Sequence, residues 1–584
     1  MGATAARFKR YLHVTGERGG LPLRGFLPII GWLSRYRWKE SFVTDLIAGI
    51  SVAALLIPES LAYAGIAGVP PEVGLYAAPL ALAGYAIFGR SALLVVAASS
   101  GISAVSASVV GGIAADEEEF IALTAGLAIA TGVVFLVAGV LRFGWVANFL
   151  SRAILAGFLV GLSIDIIIGQ LDDFFGIELE GSNAIAELVD VFRQIAEWDG
   201  LTVTVGVISL ASLFVLERFV RRLPAALTVV ALSIVAVSVF DLDEDGLLIV
   251  GEIPTGLPEY GLPEMTAGQF VELLVGALAI VLIGFSEAFA AATELAKKDG
   301  TSIDPNQELI AFGASNLGAG FSSGMVVSGS LSKSEANEGA GAKTQMANLV
   351  NAVIVVLTLL FLASLFENLP LATLAAVVIH ALWRAADVRK LAPFLGVNPI
   401  DFGLGVVTLL AVLLLDTLPA VIIGVVLSLL VLVYRVSYPH TAELGLDPET
   451  DTFEDLALHD EAARVPGLVV YRFDAPLEYS NAKAFLDGAI DLVEAADPTP
   501  HTLVVDGEVI GDIDSTGIET IADLHGRLES MNVELALARF HGLVLEQISR
   551  SESLEGVDLR DVTRTPSHAV RRVVDARRQD PPTP

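Results

Sequence analysis

Residues 324–345 read GMVVSGSLSKSEANEGAGAKTQ, a run rich in Ser, Gly, Lys and Glu with long apolar stretches on either side. A run this polar belongs on a solvated surface, yet its flanks are of membrane-spanning quality. Irregular polar backbone at membrane depth is tolerated only where it lines a cavity or is buried in protein. The stretch therefore reads as a polar site built inside a membrane body, and the rest of the chain has to be arranged around it.

Composition supports that body. Mean hydropathy is +0.67, hydrophobic residues make up 54% of the chain and charged residues 17%, far from a soluble globular profile. Apolar runs of spanning length recur between Phe42 and Tyr434. The net charge of −32 sits in loops and in the last third. It speaks against nucleic-acid binding and resembles a salt-adapted surface, where counterions screen self-repulsion; an ordinary acidic cytosolic domain is the alternative. With no cysteine, disulfides and thiolate metal sites are excluded. There is no GxxxxGK[ST] loop for ATP-driven transport and no Cys/His metal cluster, so no enzyme is expected. The N-terminus is basic and lacks a signal-peptide cleavage pattern.

Positive residues mark the cytoplasmic side of a membrane protein. Arg7, Lys9, Arg10, Arg35, Arg37 and Lys39 place the N-terminus inside, and the same side should hold Arg90, Arg142, Arg152, Arg218, Arg221, Arg222, Lys297, Lys298, Lys343, Arg384, Arg389, Lys390 and Arg435. Between them lie the acidic loops 116–119, 172–180 and 241–245 and the turns near Glu367 and Asp416. Strict alternation predicts about fourteen spans with both ends cytoplasmic.

Two segments are too short or too broken to be simple spans: residues 97–108, AASSGISAVSAS, and 327–337, VSGSLSKSEAN. Interrupted segments at corresponding places in two halves point to a site formed by half-helices, although small residues that merely pack helices together would also explain the first. Lys333 and Glu335 in the second demand polar surroundings. A faint repeat supports the correspondence: IPESLAYA (57–64) resembles FSEAFAAA (285–292), with Glu59 and Glu287 in the same place. Each half would hold an odd number of spans, so the repeat must be inverted. An intramembrane carboxylate such as Glu287 is functional by default; a buried hydrogen bond or a pairing with Lys333 is the alternative. Asp165 and His380 read as packed or interfacial polar residues.

After Tyr434 the chain changes character. The runs 467–477, 501–510 and 533–540 read as strands separated by amphipathic helices, a soluble α/β domain. Between the second strand and its helix lie Asp514, Ser515 and Thr516; Asp514 or Ser515 is placed to cap that helix, whose free N–H groups would also hold an anion or phosphoryl group. The expected organisation is a cytoplasmic segment 1–40, a transmembrane transport domain 41–437, a linker 438–465, the α/β domain 466–578 and a tail 579–584.

At this point the chain resembles the SulP family of anion transporters, the sulfate permeases. The resemblance rests on DLIAGISVAALLIPESLAYAGIAGVPPEVGLYAAP (45–79), IDPNQELIAFGASNLGAGF (303–321), SGSLSKSEANEGAGAKTQ (328–345) and a C-terminal domain that looks like a STAS domain with its DSTG loop. It implies a fourteen-segment inverted-repeat α-helical membrane fold, with core and gate domains, and a cytoplasmic α/β STAS domain. It further implies an anion site between the half-helix N-termini of the third and tenth spans, beside the first span. Carried over by position, the site residues are Ser330, Ser332 and Lys333, with Glu59 on the first span and the backbone of Ser99, Ser100 and Gly101 as the opposite wall. Two facing helix N-termini make a positive pocket without a full cation. Glu287 matches a carboxylate that the family uses for cation or proton coupling.

Three departures are visible: Glu59 stands where many relatives carry Gln, Ala97-Ala98 where Gly-Pro is common, and Lys333 where Arg is common. Glu59 puts a negative charge beside the anion unless it carries a proton, and that proton would then enter with the substrate. Lys keeps the charge of Arg but loses its planar fork, which leaves the identity of the anion open among sulfate, bicarbonate and a dicarboxylate. The expectation is proton-coupled symport through Glu287 with Glu59. Sodium coupling, an uncoupled channel or exchanger, and a membrane signalling protein acting through Ser515 of the STAS domain are the alternatives. By resemblance a homodimer is expected, and the STAS domain would have a cytosolic partner of unknown identity.

Overall fold

In lipid every backbone polar group must be satisfied internally, so apolar runs of this length have to become helices. The computed structural model of the chain describes residues 27–148, 151–179, 181, 183–220, 224–299, 303–415, 417–551 and 565–579. It forms two compact units, Met1–Ser428 and Leu429–Pro584. Arg7, Lys9, Arg10, Glu180, Arg221, Arg222 and Asp416, and the side chains of Lys297 and Lys298, lie outside the described residues, as do residues 1–26 of the expected N-terminal segment and 580–584 of the tail.

The first unit runs α1 (Trp38–Ile66), α2 (Pro71–Phe88), β1 (Val95–Ala97), α3 (Ser100–Gly111), α4 (Glu117–Val140), α5 (Arg152–Gly169), α6 (Ala184–Arg193), α7 (Gly200–Phe219), α8 (Ala225–Phe240), α9 (Ala267–Asp299), α10 (Pro305–Phe321), β2 (Ser328–Ser330), α11 (Leu331–Gly339), α12 (Met346–Phe361), α13 (Leu371–Leu382) and α14 (Pro399–Leu414). Helix α15 (Thr417–Ser437) carries the chain into the second unit. Among the described residues, seven helices are long and apolar enough to cross a membrane: α1, α2, α4, α5 with its short continuation to Phe175, α7, α9 and α15. Five more, α3, α8, α12, α13 and α14, are apolar but only 10–17 residues long. Length and composition thus find fewer spans than charge alternation predicts. The reason is local: β1 and β2 take up the first part of two segments as extended chain, and α10 is diluted by Asn306, Gln307, Glu308, Ser315 and Asn316.

Apolar residues left exposed on α7, α8 and α9, such as Ile208, Val215, Leu232, Val235, Val271 and Val275, suit a lipid-facing surface. Inside, α1 packs against α11 and α12, while α9 packs against α3 and α4. This exchange of partners is what a repeat that matches α1 with α9 predicts, and the antiparallel pairing of β1 with β2 gives the inversion. Close approach depends on glycine at two points. A Cβ on Gly157 of α5 would stand 2.0 Å from the Gly405 carbonyl oxygen of α14, so these helices touch backbone to backbone. A Cβ on Gly329 of β2 would come within 2.8 Å of Ala288 on α9.

The second unit holds β3 (Thr441–Asp447), β4 (Thr452–Asp455), β5 (Leu468–Phe473), α16 (Ala482–Ala495), β6 (Thr502–Asp506), α17 (Ser515–Ser530), β7 (Glu534–Ala538), α18 (Gly542–Ile548) and α19 (Pro566–Gln579). The sheet order is β4-β3-β5-β6-β7, with β5, β6 and β7 parallel and β3 antiparallel to both neighbours. Alternation along the strands fills both faces: Val469, Tyr471 and Phe473 join the core under α16 and α17, and Leu468 and Val470 join the one containing Ala569 and Val570 of α19. One expectation is corrected. Residues 438–465 are not a plain linker, because β3 and β4 lie there. Their sequence, TAELGLDPETDTFED, alternates too weakly and is too acidic to stand out as strand.

Candidate functional site

The site is built on the two-stranded crossing. Val95 pairs with Ser330, Val96 with Gly329 and Ala97 with Ser328, so each strand ends where the other begins. Helix α3 therefore starts beside the entry to β2, and α11 starts beside the entry to β1. A helix start carries free N–H groups and roughly half a positive charge, and the crossing brings two such starts together. At α11 the Ser330 hydroxyl accepts from Lys333 N (3.4 Å) and lies 3.2 Å from the Ser332 hydroxyl. At α3 the N-cap Ser99 makes no side-chain cap bond, and its buried hydroxyl has no hydrogen-bond partner. Ser100 and Gly101 are half-buried and Ser332 is exposed.

Lys333 occupies the space between these helix starts. Its side chain is 1% exposed, and its ammonium lies 2.5 Å from Glu59 Oε2, donates to the Ala98 carbonyl oxygen at 3.2 Å and sits 4.9 Å from the Tyr63 ring centroid. Glu59 follows Pro58, which lies inside α1 and removes the N–H that would bond the Ala54 carbonyl. The carboxylate is 7% exposed. Lys333 thus pairs with Glu59, one of the two carboxylates of the repeat; Glu287, half-buried on α9, lies close enough to Tyr63 to act on it electrostatically, as Glu59 does. Glu335 is exposed, which satisfies its charge without a partner in the site.

What holds this crossing in place was not legible as function in the sequence. Asn316 on α10 acts as a surrogate strand, donating to the Val327 carbonyl and accepting from Val327 N, both at 3.0 Å. The approach to β1 is held by amide side chains: Asn337 donates to Leu93 O, Gln345 to Ser91 O and Leu94 O, and Asn348 to Leu94 O. Glu308, fully buried, accepts from the Tyr85 hydroxyl (2.6 Å) and from Arg90 N (3.0 Å), and Gln307 donates to Phe88 O. Asp45, also fully buried, accepts from Tyr36, from Thr344 and from the backbone N–H of Lys343, so it ties the exit from α11 to the start of α1. The signal available beforehand was a polar side chain inside an apolar helix, which is costly unless bonded.

A cavity of about 910 Å³ opens at the far end of α1 and reaches Leu61, Ala62 and Ala104, on the same helices as Glu59 and Ser99. It places Asp165 in company with Asp172, Asp173 and Glu187, away from the strand crossing. Glu187, on the amphipathic helix α6, has its carboxyl raised above the usual range by burial and then by the nearby Asp172. His380 is held elsewhere, 2.9 Å from Glu217, which also binds Arg384. In the second unit Asp514 caps α17, accepting from Gly517 N at 2.8 Å and, through its other oxygen, from Tyr479 N at 2.9 Å. Ser515 is exposed and Thr516 half-buried in the first turn.

Comparison with known proteins agrees with this architecture. Residues 42–408 match the sulfate permease family and residues 461–565 the STAS domain. A probable sulfate transporter of Mycobacterium tuberculosis is 33% identical over 525 residues, 89% of this chain and 93% of its own length. Sulfate transporter 4.1, chloroplastic, of Arabidopsis thaliana is 29% identical over 547 residues, 90% of this chain and 79% of its own. Among solved structures, the murine solute carrier 26 family member A9 anion transporter in the inward-facing state superposes with a TM-score of 0.87 at 24% identity, covering 96% of each chain. The transmembrane domain of the cyanobacterial bicarbonate transporter BicA superposes with a TM-score of 0.57 at 22% identity, over 66% of this chain and 97% of that one. The fold is that of a multi-pass helical membrane transporter with a C-terminal STAS domain, and the chain belongs to the sulfate permease family of anion transporters.

Proposed function

We propose that this protein is a secondary active transporter that binds a small oxyanion between the starts of α3 and α11 and couples its movement to protons through Glu287, with Glu59. The observation that carries the proposal is the strand crossing, where two helix starts and the buried ammonium of Lys333 converge with an unsatisfied Ser99 hydroxyl. Such a pocket offers N–H, O–H and ammonium donors to an oxyanion. Sulfate is the first candidate because curated relatives carry that name, and bicarbonate is the second because of the BicA likeness; a dicarboxylate suits the same donors. Glu287 supplies a carboxylate at membrane depth, where a proton is the least costly counter-charge.

The charge distribution supports fourteen membrane segments with both termini cytoplasmic in the cell membrane, and the exposed first turn of α17 at Ser515 is a candidate contact for a cytosolic partner. Labelled sulfate, bicarbonate and succinate offered to proteoliposomes, with and without an imposed proton gradient, test the proposal. Accumulation of one anion above equilibrium only with the proton gradient is the expected result. Accumulation that requires sodium at fixed pH would reassign the coupling ion, and equilibration without accumulation would make the protein a channel or exchanger. If Glu287→Gln left proton-driven uptake intact, Glu287 would not be the coupling group.

A further inference from the structure

The contact between Lys333 and Glu59 changes what an arriving anion meets. Both side chains are buried, at 1% and 7% exposure, with the ammonium and carboxylate 2.5 Å apart. Together they are neutral, so the full positive charge that Lys333 brings to the crossing is already occupied. Its occupant is a carboxylate, an oxyanion as the candidate substrates are, tethered to α1. The remaining ligands of the ammonium, the Ala98 carbonyl and the Tyr63 ring face, are acceptors that hold it at the start of α3 whether or not a carboxylate is present.

We infer that Glu59 is a tethered surrogate anion: it fills the oxyanion seat at Lys333 while the carrier is empty, and substrate binds by taking its place. The inference rests on the strand crossing being the anion site. A carboxylate displaced from its ammonium in this setting cannot remain ionised without a new counter-charge, so the exchange is accompanied by a proton that binds a Glu59 oxygen from solution. The O–H bond forms as the ion pair with Lys333 breaks, and the net charge gained by the site is that of the anion plus one. Specificity follows. An anion has to out-compete a carboxylate at contact distance, which favours polyvalent or strongly hydrogen-bonding oxyanions over a halide.

The groups that face Glu59 are few. Tyr63 belongs to α1 itself and Lys333 to α11, while Glu287 of α9 lies near Tyr63. Of the other helices packed on α1, α3, α8 and α12 carry no titratable side chain. Helix α13 carries only His380, which is engaged with Glu217; α2 carries Glu72 and Tyr76 in its first half and Tyr85, which is bonded to Glu308; and α11 carries, beyond Lys333, the exposed Glu335 and then Glu338. A proton taken up with the anion thus has the displaced Glu59 carboxylate as its destination, with Glu287 the other carboxylate near Tyr63.

The test is equilibrium binding of sulfate, and in parallel of chloride, bicarbonate and succinate, to the purified full-length protein in lipid nanodiscs between pH 5.5 and 8, with proton uptake followed by a dye in weak buffer. The wild type should take up close to one proton per bound oxyanion, with affinity falling up to about tenfold per pH unit as the medium becomes alkaline. In Glu59→Gln the seat is vacant: sulfate should bind at least about tenfold tighter at pH 7.5, the pH slope should flatten, and chloride should begin to compete. Sulfate should also raise the melting temperature of Glu59→Gln more than that of the wild type, because it supplies the missing partner of Lys333. This readout also shows that the variant is folded. Weaker or unchanged binding in a folded Glu59→Gln would overturn the surrogate role while leaving the anion site in place. If neither folded protein binds any of the anions, the location of the site fails as well.

Discussion

The two half-helices α3 and α11 are counterparts in an inverted repeat, and they differ where it matters. The start of α11 is capped by Ser330 and carries Lys333 in its first turn; the start of α3 has a serine in the cap position that caps nothing and carries no charge. Symmetry supplies the geometry, two strands that cross and two helices that diverge from the crossing. Departure from symmetry supplies the chemistry, with one side charged and closed and the other neutral and open to a ligand. The same division runs through the carboxylates, since Glu59 is spent on Lys333 while Glu287 keeps no partner among the described ion pairs and hydrogen bonds.

The strongest way to break this comparison is to remove the charge on the α11 side. Lys333→Met takes away the counter-charge of the buried Glu59 carboxylate, a loss of about 3–5 kcal/mol, and it should abolish anion binding. Thermal melts in nanodiscs should show the loss. Adding Glu59→Gln to Lys333→Met should restore most of the stability without restoring binding. If the double variant melts as low as the single one, the pair is not what couples α11 to α1.

A smaller effect is expected where the strands are held. The β2 side depends on one residue, Asn316, while the β1 side is shared among Asn337, Gln345 and Asn348. Asn316→Leu strands an N–H and a carbonyl of Val327, at about 1–3 kcal/mol each. Asn348→Leu leaves Leu94 O still bonded by Gln345 but strands the Gln345 Oε1 that Asn348 also bonds, one group against two, and should cost about half as much. Equal losses would show that β1 and β2 are not held differently. Smaller again is the contrast of the caps. Ser330→Ala should cost about 1 kcal/mol of stability, whereas Ser99→Ala, which removes no cap bond, should be near neutral in a melt and weaken anion binding. A Ser99→Ala protein that binds sulfate as tightly as the wild type would remove that hydroxyl from the site.

The sequence pattern made the two interrupted segments visible, though not the strands that cross in them, because Ser, Gly and Lys have no business between apolar spans unless they line something, and the motif around Lys333 is long. The α/β pattern of β5, β6 and β7 was equally plain, since Val-rich strands buried on both faces alternate with amphipathic helices. Other features were hidden for identifiable reasons. The partner of Lys333 was not legible, because Glu59 and Glu287 hold equivalent places in the repeat and only the inverted packing decides which one α11 meets. Asp45, Glu308 and Asn316 lie inside the motif stretches, but their roles were not legible, since the Tyr, Thr and backbone groups they bind come from other elements of the fold. β3 and β4 were missed because an edge hairpin needs little hydrophobic periodicity. The outer cavity was missed as a unit because its four carboxylates come from two separate stretches, 165–173 and Glu187 beyond them.

That cavity offers the mildest test, one that sets a mouth lined by several acids against the single acid paired with Lys333 at the inner site. Glu187 has its carboxyl raised by burial and by Asp172, so in the folded protein it keeps its proton to higher pH than a free glutamate would. As pH falls through that raised value the cavity loses a negative charge, and repulsion of an incoming anion weakens. Glu187→Gln removes the charge at every pH. It should therefore raise the uptake rate about two- to threefold at alkaline pH, where the wild-type carboxyl carries its charge, and the gain should shrink as the pH is lowered through the raised value and the wild-type carboxyl takes its proton. The gain should shrink at high salt, because the interaction acts across solvent. Proteoliposome uptake across a pH series and at two ionic strengths decides it, and a gain that does not shrink as the pH falls would mean that Glu187 acts through packing against the cavity wall and not through its charge.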